Sequence, residues 1–206
     1  RFVQGRTLDE SDVRDPEVLR RLVPVILRCH HEIPKHLRGP ALMFWVFHAV
    51  RHYAGELRDR ASPYADRLPE LLAKAAELES VIGRVEIVFG HNDLLPANFI
   101  DDGERVWLID YDYAGFNSPL FDLGGLASNA DLPSDLEDEL LTQYYGEKPD
   151  RQLKRRFHAM KCASLIRESM WSMTSELISE LDFDFSAYTQ ENLERLERAW
   201  DIYART

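Results

Sequence analysis

Residues 89–117 read FGHNDLLPANFIDDGERVWLIDYDYAGFN, and the reading of this stretch decides the fold. Ile87, Val88 and Phe89 form a short apolar run that predicts a buried strand, and the polar group His91, Asn92 and Asp93 follows where that strand should end. Leu94, Leu95, Pro96 and Ala97 make a tight apolar connection to Asn98. A second strand is expected from Asn98 to Asp101, turning at Asp102-Gly103, a residue pair that favours tight hairpins. A third strand, Val106 to Ile109, delivers Asp110, Tyr111 and Asp112. Side chains alternate along a strand, so Asp110 and Asp112 should share one side if the extended conformation persists.

Asp93, Asn98 and Asp110 at strand ends and in loops suit phosphoryl transfer. That reaction needs a carboxylate to receive the acceptor hydroxyl's proton, and hard oxygen ligands for a magnesium ion that bridges nucleotide phosphates. Asp93 is the candidate base, with Asn98 and Asp110 the candidate magnesium ligands. Asp and Asn are also ordinary turn residues, and that plainer reading is adopted for Asp102. H-x-D-x4-N followed by an apolar strand ending in I-D is far more restrictive than a lone H-x-D.

HNDLLPAN and LIDYDYAGFNSPLFDLG resemble the catalytic and metal-binding segments of the choline/ethanolamine kinase family, within the wider aminoglycoside phosphotransferase group of protein-kinase-like fold. The resemblance covers the whole chain and is strongest from Phe89 to Asn129 and from Trp171 to Tyr188. It implies Asp93 as catalytic base, Asn98 and Asp110 as magnesium ligands, Asp112 near a second metal, and His91 as a brace for the catalytic loop. It implies that Asp122 holds that loop from behind; an N-cap for the following helix is the alternative. It also implies that residues 1–6 are a hinge, with Phe2, Val3 and Gln4 lying against the adenine of ATP. A frayed terminal strand is the plainer reading there. The rest, 7–206, is then the C-terminal lobe. No G-x-G-x-x-G occurs, and neither a Gly-rich phosphate loop nor a strand-borne Lys precedes the hinge. The nucleotide-gripping N-terminal lobe is therefore expected to be missing from this chain, as a partner segment of the same protein, and the fragment alone to be inactive.

The 206 residues can bury a substantial core, and a net charge of −11 argues against binding nucleic acid or an anionic membrane. Cys29 and Cys162 have neither metal-like nor redox spacing, which suits thiols in a reducing cytoplasm. No apolar run is long enough to span a bilayer. Asp15-Pro16 starts a largely buried helix that Pro24 should bend, with His30 and His31 at its C-terminal end where the dipole favours them. Further helices are expected over Ala41–Arg60, from Pro63 to near Gly83, Pro119–Ala127, Pro133 to near Gly146, Asp150–Glu180 and Ser186–Arg205. The fold class is α+β, mostly helical, with a small β-hairpin catalytic region.

For the acceptor, the resemblance implies that Trp171 and Tyr188 belong to an aromatic box that holds an ammonium by cation–π attraction. Core packing is the alternative for both rings. Two positions depart from the family: Glu168 stands where another box Trp is common, and Asn129 where many members have Glu. Glu168, one turn from Trp171, could restore the lost charge from another wall. The leading function is an ATP- and magnesium-dependent kinase acting on the hydroxyl of choline or ethanolamine. An aminoglycoside or another amino alcohol is the alternative acceptor. From other classes come a non-catalytic kinase-like binding module and a metal-dependent hydrolase using His91 and Asp93, which would need a further ligand cluster.

Overall fold

A computed structural model describes residues 3–206. The chain divides into two compact units, the first built from the chain up to Phe44 and from Val85–Lys154, the second from Trp45–Arg84 and Arg155–Thr206.

The first unit carries the sequence stretch that organises the chain. It opens with strand β1 (Arg6–Thr7) and a one-turn helix α1 (Glu10–Val13), whose Asp9 and Asp12 form a reciprocal capping box. Helix α2 (Pro16–His31) starts as expected: Pro16 sits at N1 and the Asp15 side chain accepts from the Glu17 N–H. It buries Leu19, Leu22, Val23 and Ile26 and continues through Pro24. Strand β2 (Val88–Gly90) leads into the His91–Asp93 loop; β3 (Phe99–Asp101) and β4 (Val106–Leu108) form the hairpin; β5 (Gly115–Asn117) follows. The strands make two antiparallel sheets, β1-β3-β4 and β2-β5. Helix α5 (Pro119–Asn129), capped by the Ser118 hydroxyl, is buried along nearly its whole length, and α6 (Ser134–Tyr145) ends at Gly146 in a left-handed cap.

The second unit contains α3 (Val46–Asp59) and α4 (Leu68–Ile82), which pack together. Most of the long helix α7 (Arg151–Ile178) and all of α8 (Phe185–Arg205) belong to it. The expected mostly helical α+β fold is the one observed.

Four local expectations are corrected. The helix expected over Ala41–Arg60 begins at Val46, because 41–45 is extended: the Phe44 N–H donates to the Phe116 carbonyl and the Phe116 N–H to the Leu42 carbonyl, each at 2.8 Å. These bonds satisfy backbone groups on β5 that a helix would have left unpaired. Ile87 is exposed, and the buried strand is Val88–Gly90 instead. The hairpin turn is a four-residue loop, since Asp101 pairs with Val106 across it. Gly103 supplies the positive φ there, +90°, while the Asp102 carboxylate accepts the Glu104 and Arg105 N–H groups. Finally, the extended conformation ends before Asp110, which has φ +62°, and a turn over Tyr111–Ala114 follows. The alternation argument for Asp110 and Asp112 therefore does not apply.

Candidate active site

Strand β2 ends in the loop His91-Asn92-Asp93, which is held from several directions. The Asp122 carboxylate, in the first turn of α5 and 2% exposed, accepts the His91 N–H through Oδ2 and the Asn92 N–H through Oδ1, both at 2.7 Å. Ser118 is the N-cap of α5, so the capping alternative for Asp122 is set aside: its carboxylate holds the loop from behind. Asn92 takes φ +66°, a left-handed conformation that Asn tolerates better than most residues. Its amide donates to the Tyr113 and Gly115 carbonyls at 3.0 and 3.2 Å, and its Oδ1 accepts from Asn117 at 3.0 Å. A Cβ at Gly90 would lie 2.7 Å from that Oδ1, so the loop closes only over glycine.

His91 is fully buried and its Nε2 donates to the Ile109 carbonyl at 2.8 Å, one residue before Asp110. The imidazole thus ties the Asp93 loop to the Asp110 segment. Asn98, 8% exposed, donates its amide to the Asp93 carbonyl at 2.8 Å. That bond fixes the amide's orientation and leaves its Oδ1 as the group available to a cation. Asp93 is half-buried, whereas Asp110 and Asp112 are exposed. The donor set is one amide oxygen and two exposed carboxylates, all hard oxygens, which fits magnesium, an ion that completes its shell with water and phosphates. Among the described residues, no three His, Cys, Asp or Glu side chains gather to hold a metal, the feature a His91–Asp93 hydrolase would require.

A further layer lies behind Asp122. His30 Nε2 approaches Asp122 Oδ2 at 2.8 Å and its Nδ1 the Tyr144 hydroxyl at 2.6 Å, with His30 1% exposed. A carboxylate can only accept, so Nε2 donates to it and Nδ1 accepts from Tyr144. Burial pushes the Tyr144 phenol well above its ordinary range, and burial pushes the neighbouring Cys29 thiol up to about 12. Sequence reasoning placed His30 correctly at a helix end but missed its partner, 92 positions away. It also missed the clamp made by Asn92 and Asn117; the N of HND was the only signal for it.

Of the acceptor-side residues, Glu168, Trp171 and Tyr188 are gathered in the second unit. The Trp171 ring meets Phe185 at 6.0 Å and Tyr188 at 6.4 Å, edge to face, and exposed Phe183 adds a fourth ring 5.6 Å from Tyr188. Trp171 and Tyr188 are both half-buried. Glu168, 8% exposed, accepts from the Tyr188 hydroxyl at 3.0 Å and from Arg167 Nη1 at 2.6 Å, so its charge already has a guanidinium partner. Burial and then the Glu168 charge raise the Tyr188 phenol above its usual range. Asn129, in the first unit, donates its amide to the Leu94 carbonyl at 3.2 Å, bracing the loop between Asp93 and Asn98. Of the residues expected to form a hinge, Val3 and Gln4 precede β1, while Phe2 lies outside the described residues.

The profile of the Choline/ethanolamine kinase family matches residues 1–130, the span that holds Asp93, Asn98, Asp110 and Asp122. The chain belongs to the choline/ethanolamine kinase family. Among its relatives, Protein LicA of Haemophilus influenzae is 26% identical over 205 residues, covering 96% of this chain and 73% of that protein. The chain spans 58%, 57% and 54% of three other curated relatives it matches. A crystal structure of a choline/ethanolamine kinase family protein from Mesorhizobium loti superposes with a TM-score of 0.82 at 22% identity, over 97% of this chain and 68% of the other. The fold extends to the wider group: an aminoglycoside 2'-phosphotransferase-IIIa superposes with a TM-score of 0.62 at 16% identity, over 97% of this chain and 68% of the other. Glu168, Trp171 and Tyr188 lie beyond the span of the family match.

Proposed function

We propose that the protein is an ATP- and magnesium-dependent kinase that phosphorylates the hydroxyl of a small amino alcohol, choline or ethanolamine. The observation that carries this reading is the Asn98 amide bonded to the Asp93 carbonyl, in a loop pinned by Asp122. It couples the candidate base to a candidate metal ligand through one short connection. Family membership supports the same chemistry.

In this reading Asp93 accepts the proton of the acceptor hydroxyl as it attacks, a role that needs a carboxylate held in place before the substrate arrives. Asn98 and Asp110 would hold the magnesium ion, and Asp112 would serve a second. ATP and magnesium, when bound, supply the transferable phosphoryl group and the neutralisation of its charge. His91 and Asn129 keep the loop in register. Val3 and Gln4 would lie against the adenine. Trp171 and Tyr188 offer ring faces to the acceptor's ammonium. Glu168, already paired with Arg167, orients the Tyr188 ring through its hydroxyl. Cys29 and Cys162 are not disulfide-bonded, which suits a cytoplasmic setting.

The test is the full natural protein incubated with ATP and magnesium against choline, ethanolamine and an aminoglycoside, with ADP release and phosphorus NMR as readouts. The expected result is ADP formed in step with the phosphomonoester of choline or ethanolamine. Turnover on the aminoglycoside alone would move the assignment to the wider group, and turnover on none would overturn it.

A further inference from the structure

We propose that a second ligand site lies on the outer side of the catalytic hairpin and takes a flat organic anion, an aromatic ring bearing a phosphate or carboxylate. A cavity of about 330 Å³ opens there, between the C-terminal part of α2 with the turn after it and strand β4. β4 is an edge strand, so nothing in its own sheet covers that side.

The lining inverts the charge of the molecule. The whole chain carries −11, yet this cavity presents the Arg28 and Arg105 guanidiniums and the His36 imidazole. Its one lining carboxylate, Glu32, is bonded to Lys35 at 2.7 Å, which holds the carboxyl below its usual range, and Asp102 behind the lining pairs with Arg105 at 3.9 Å, leaving Arg28 as the uncompensated guanidinium. Arg28 has no carboxylate partner among the described residues. A guanidinium presents a planar fork that matches phosphate and carboxylate oxygens.

The flat surface comes from Trp107. Its indole N–H donates to Asp102 at 2.6 Å, fixing the ring, and the Arg105 guanidinium lies over that ring at 4.8 Å. A tethered indole with a cation stacked over it suits a partner ring that carries a negative group. Cys29, buried and with its thiol pushed up to about 12, is neutral at physiological pH and contributes no opposing charge.

The cavity also adjoins the catalytic machinery. Tyr111 lines it, sits between Asp110 and Asp112, and packs edge-to-face on His91 at 4.8 Å. An occupant that shifts Tyr111 would act on the His91–Ile109 tie.

The test is calorimetric titration of the full natural protein with 1-naphthyl phosphate in the presence of saturating ADP and magnesium, alongside uncharged 1-naphthol. The expected result is saturable binding of the phosphate at one site, with 1-naphthol much weaker. Arg28→Gln and Arg105→Gln, both at exposed positions, should each weaken it about tenfold, the usual scale for a hydrogen bond to a charged group. Unfolding midpoints unchanged from wild type would confirm that both variants remain folded. Equal binding of naphthol, insensitivity to both substitutions, or no binding once ADP is present would each overturn the proposal.

Discussion

Replacing Asp122 with Ala should unfold the protein more readily than any other single change at the site. The carboxylate accepts three buried donors: the His91 and Asn92 N–H groups, each at 2.7 Å, and His30 Nε2 at 2.8 Å. A buried donor stripped of its acceptor costs about 1–3 kcal/mol, toward the upper end where the acceptor was charged. The three donors share one carboxylate and can partly relax, so the sum is not additive, and a loss of about 4 kcal/mol is expected for Asp122→Ala. That is a large part of the total stability of an ordinary domain, about 5–15 kcal/mol. Asp122→Asn keeps one acceptor oxygen and should lose roughly half as much. Urea unfolding followed by circular dichroism measures both. A double-mutant cycle with His30→Ala should return a coupling of at least about 1 kcal/mol, because the two side chains are in direct contact. If Asp122→Ala cost less than about 1 kcal/mol, the loop would be held by something other than this carboxylate.

Three other outcomes follow from the same geometry. Asp110→Asn, which tolerates the left-handed backbone at +62°, and Asn98→Ala should both raise the magnesium concentration needed for half-maximal nucleotide binding; an unchanged titration in both would remove the metal assignment. Trp171→Ala should raise the acceptor's KM more than that of ATP if, as proposed, the ring's partner is the acceptor cation, and equal effects on both would place the ring elsewhere. The Asp102 carboxyl is held down to about 2 by the Trp107 indole N–H and then by the Arg105 and Glu104 backbone N–H groups. Its folded value lies below the unfolded value of about 3.9, so its contribution is present above that pH and is lost as pH falls toward 2. Amide NMR of Gly103 to Arg105 should show the hairpin loop intact at pH 4 and loosening only below about 3, and a carboxyl titrating near 3.9 would contradict the held geometry.

The β3–β4 hairpin and the loop before it were legible because their signals are local. His91, Asp93 and Asn98 sit on one short connection, Gly103 marks a turn, and the apolar run ending at Ile109 announces a strand. Capping was legible for the same reason at Asp15-Pro16. What escaped depends on partners distant in sequence. Residues 41–45 continue an apolar pattern that suits a helix, and only the Phe116 backbone, some seventy positions on, draws them into an extended path. His30 reads as a helix-end histidine until Asp122 and Tyr144 are brought to it. The left-handed turn at Asp110 leaves no periodic signature, since Asp is common both in strand exits and in turns. Asn129 looks like an acceptor-side position by resemblance, and its amide is found bonded to the Leu94 carbonyl.

The most direct test of the central claim is a single-turnover measurement on the full natural protein and its Asp93→Asn variant, with ATP, magnesium and the acceptor all saturating. Asn keeps the shape of the side chain, and the Asn98 bond goes to the backbone carbonyl of residue 93, so the loop should survive the substitution. The account predicts that the rate of phosphoryl transfer falls by about two to four orders of magnitude, while nucleotide affinity and the unfolding midpoint stay at wild-type values. A variant that transfers phosphate within about threefold of the wild-type rate would contradict it, because loss of a general base costs far more than that.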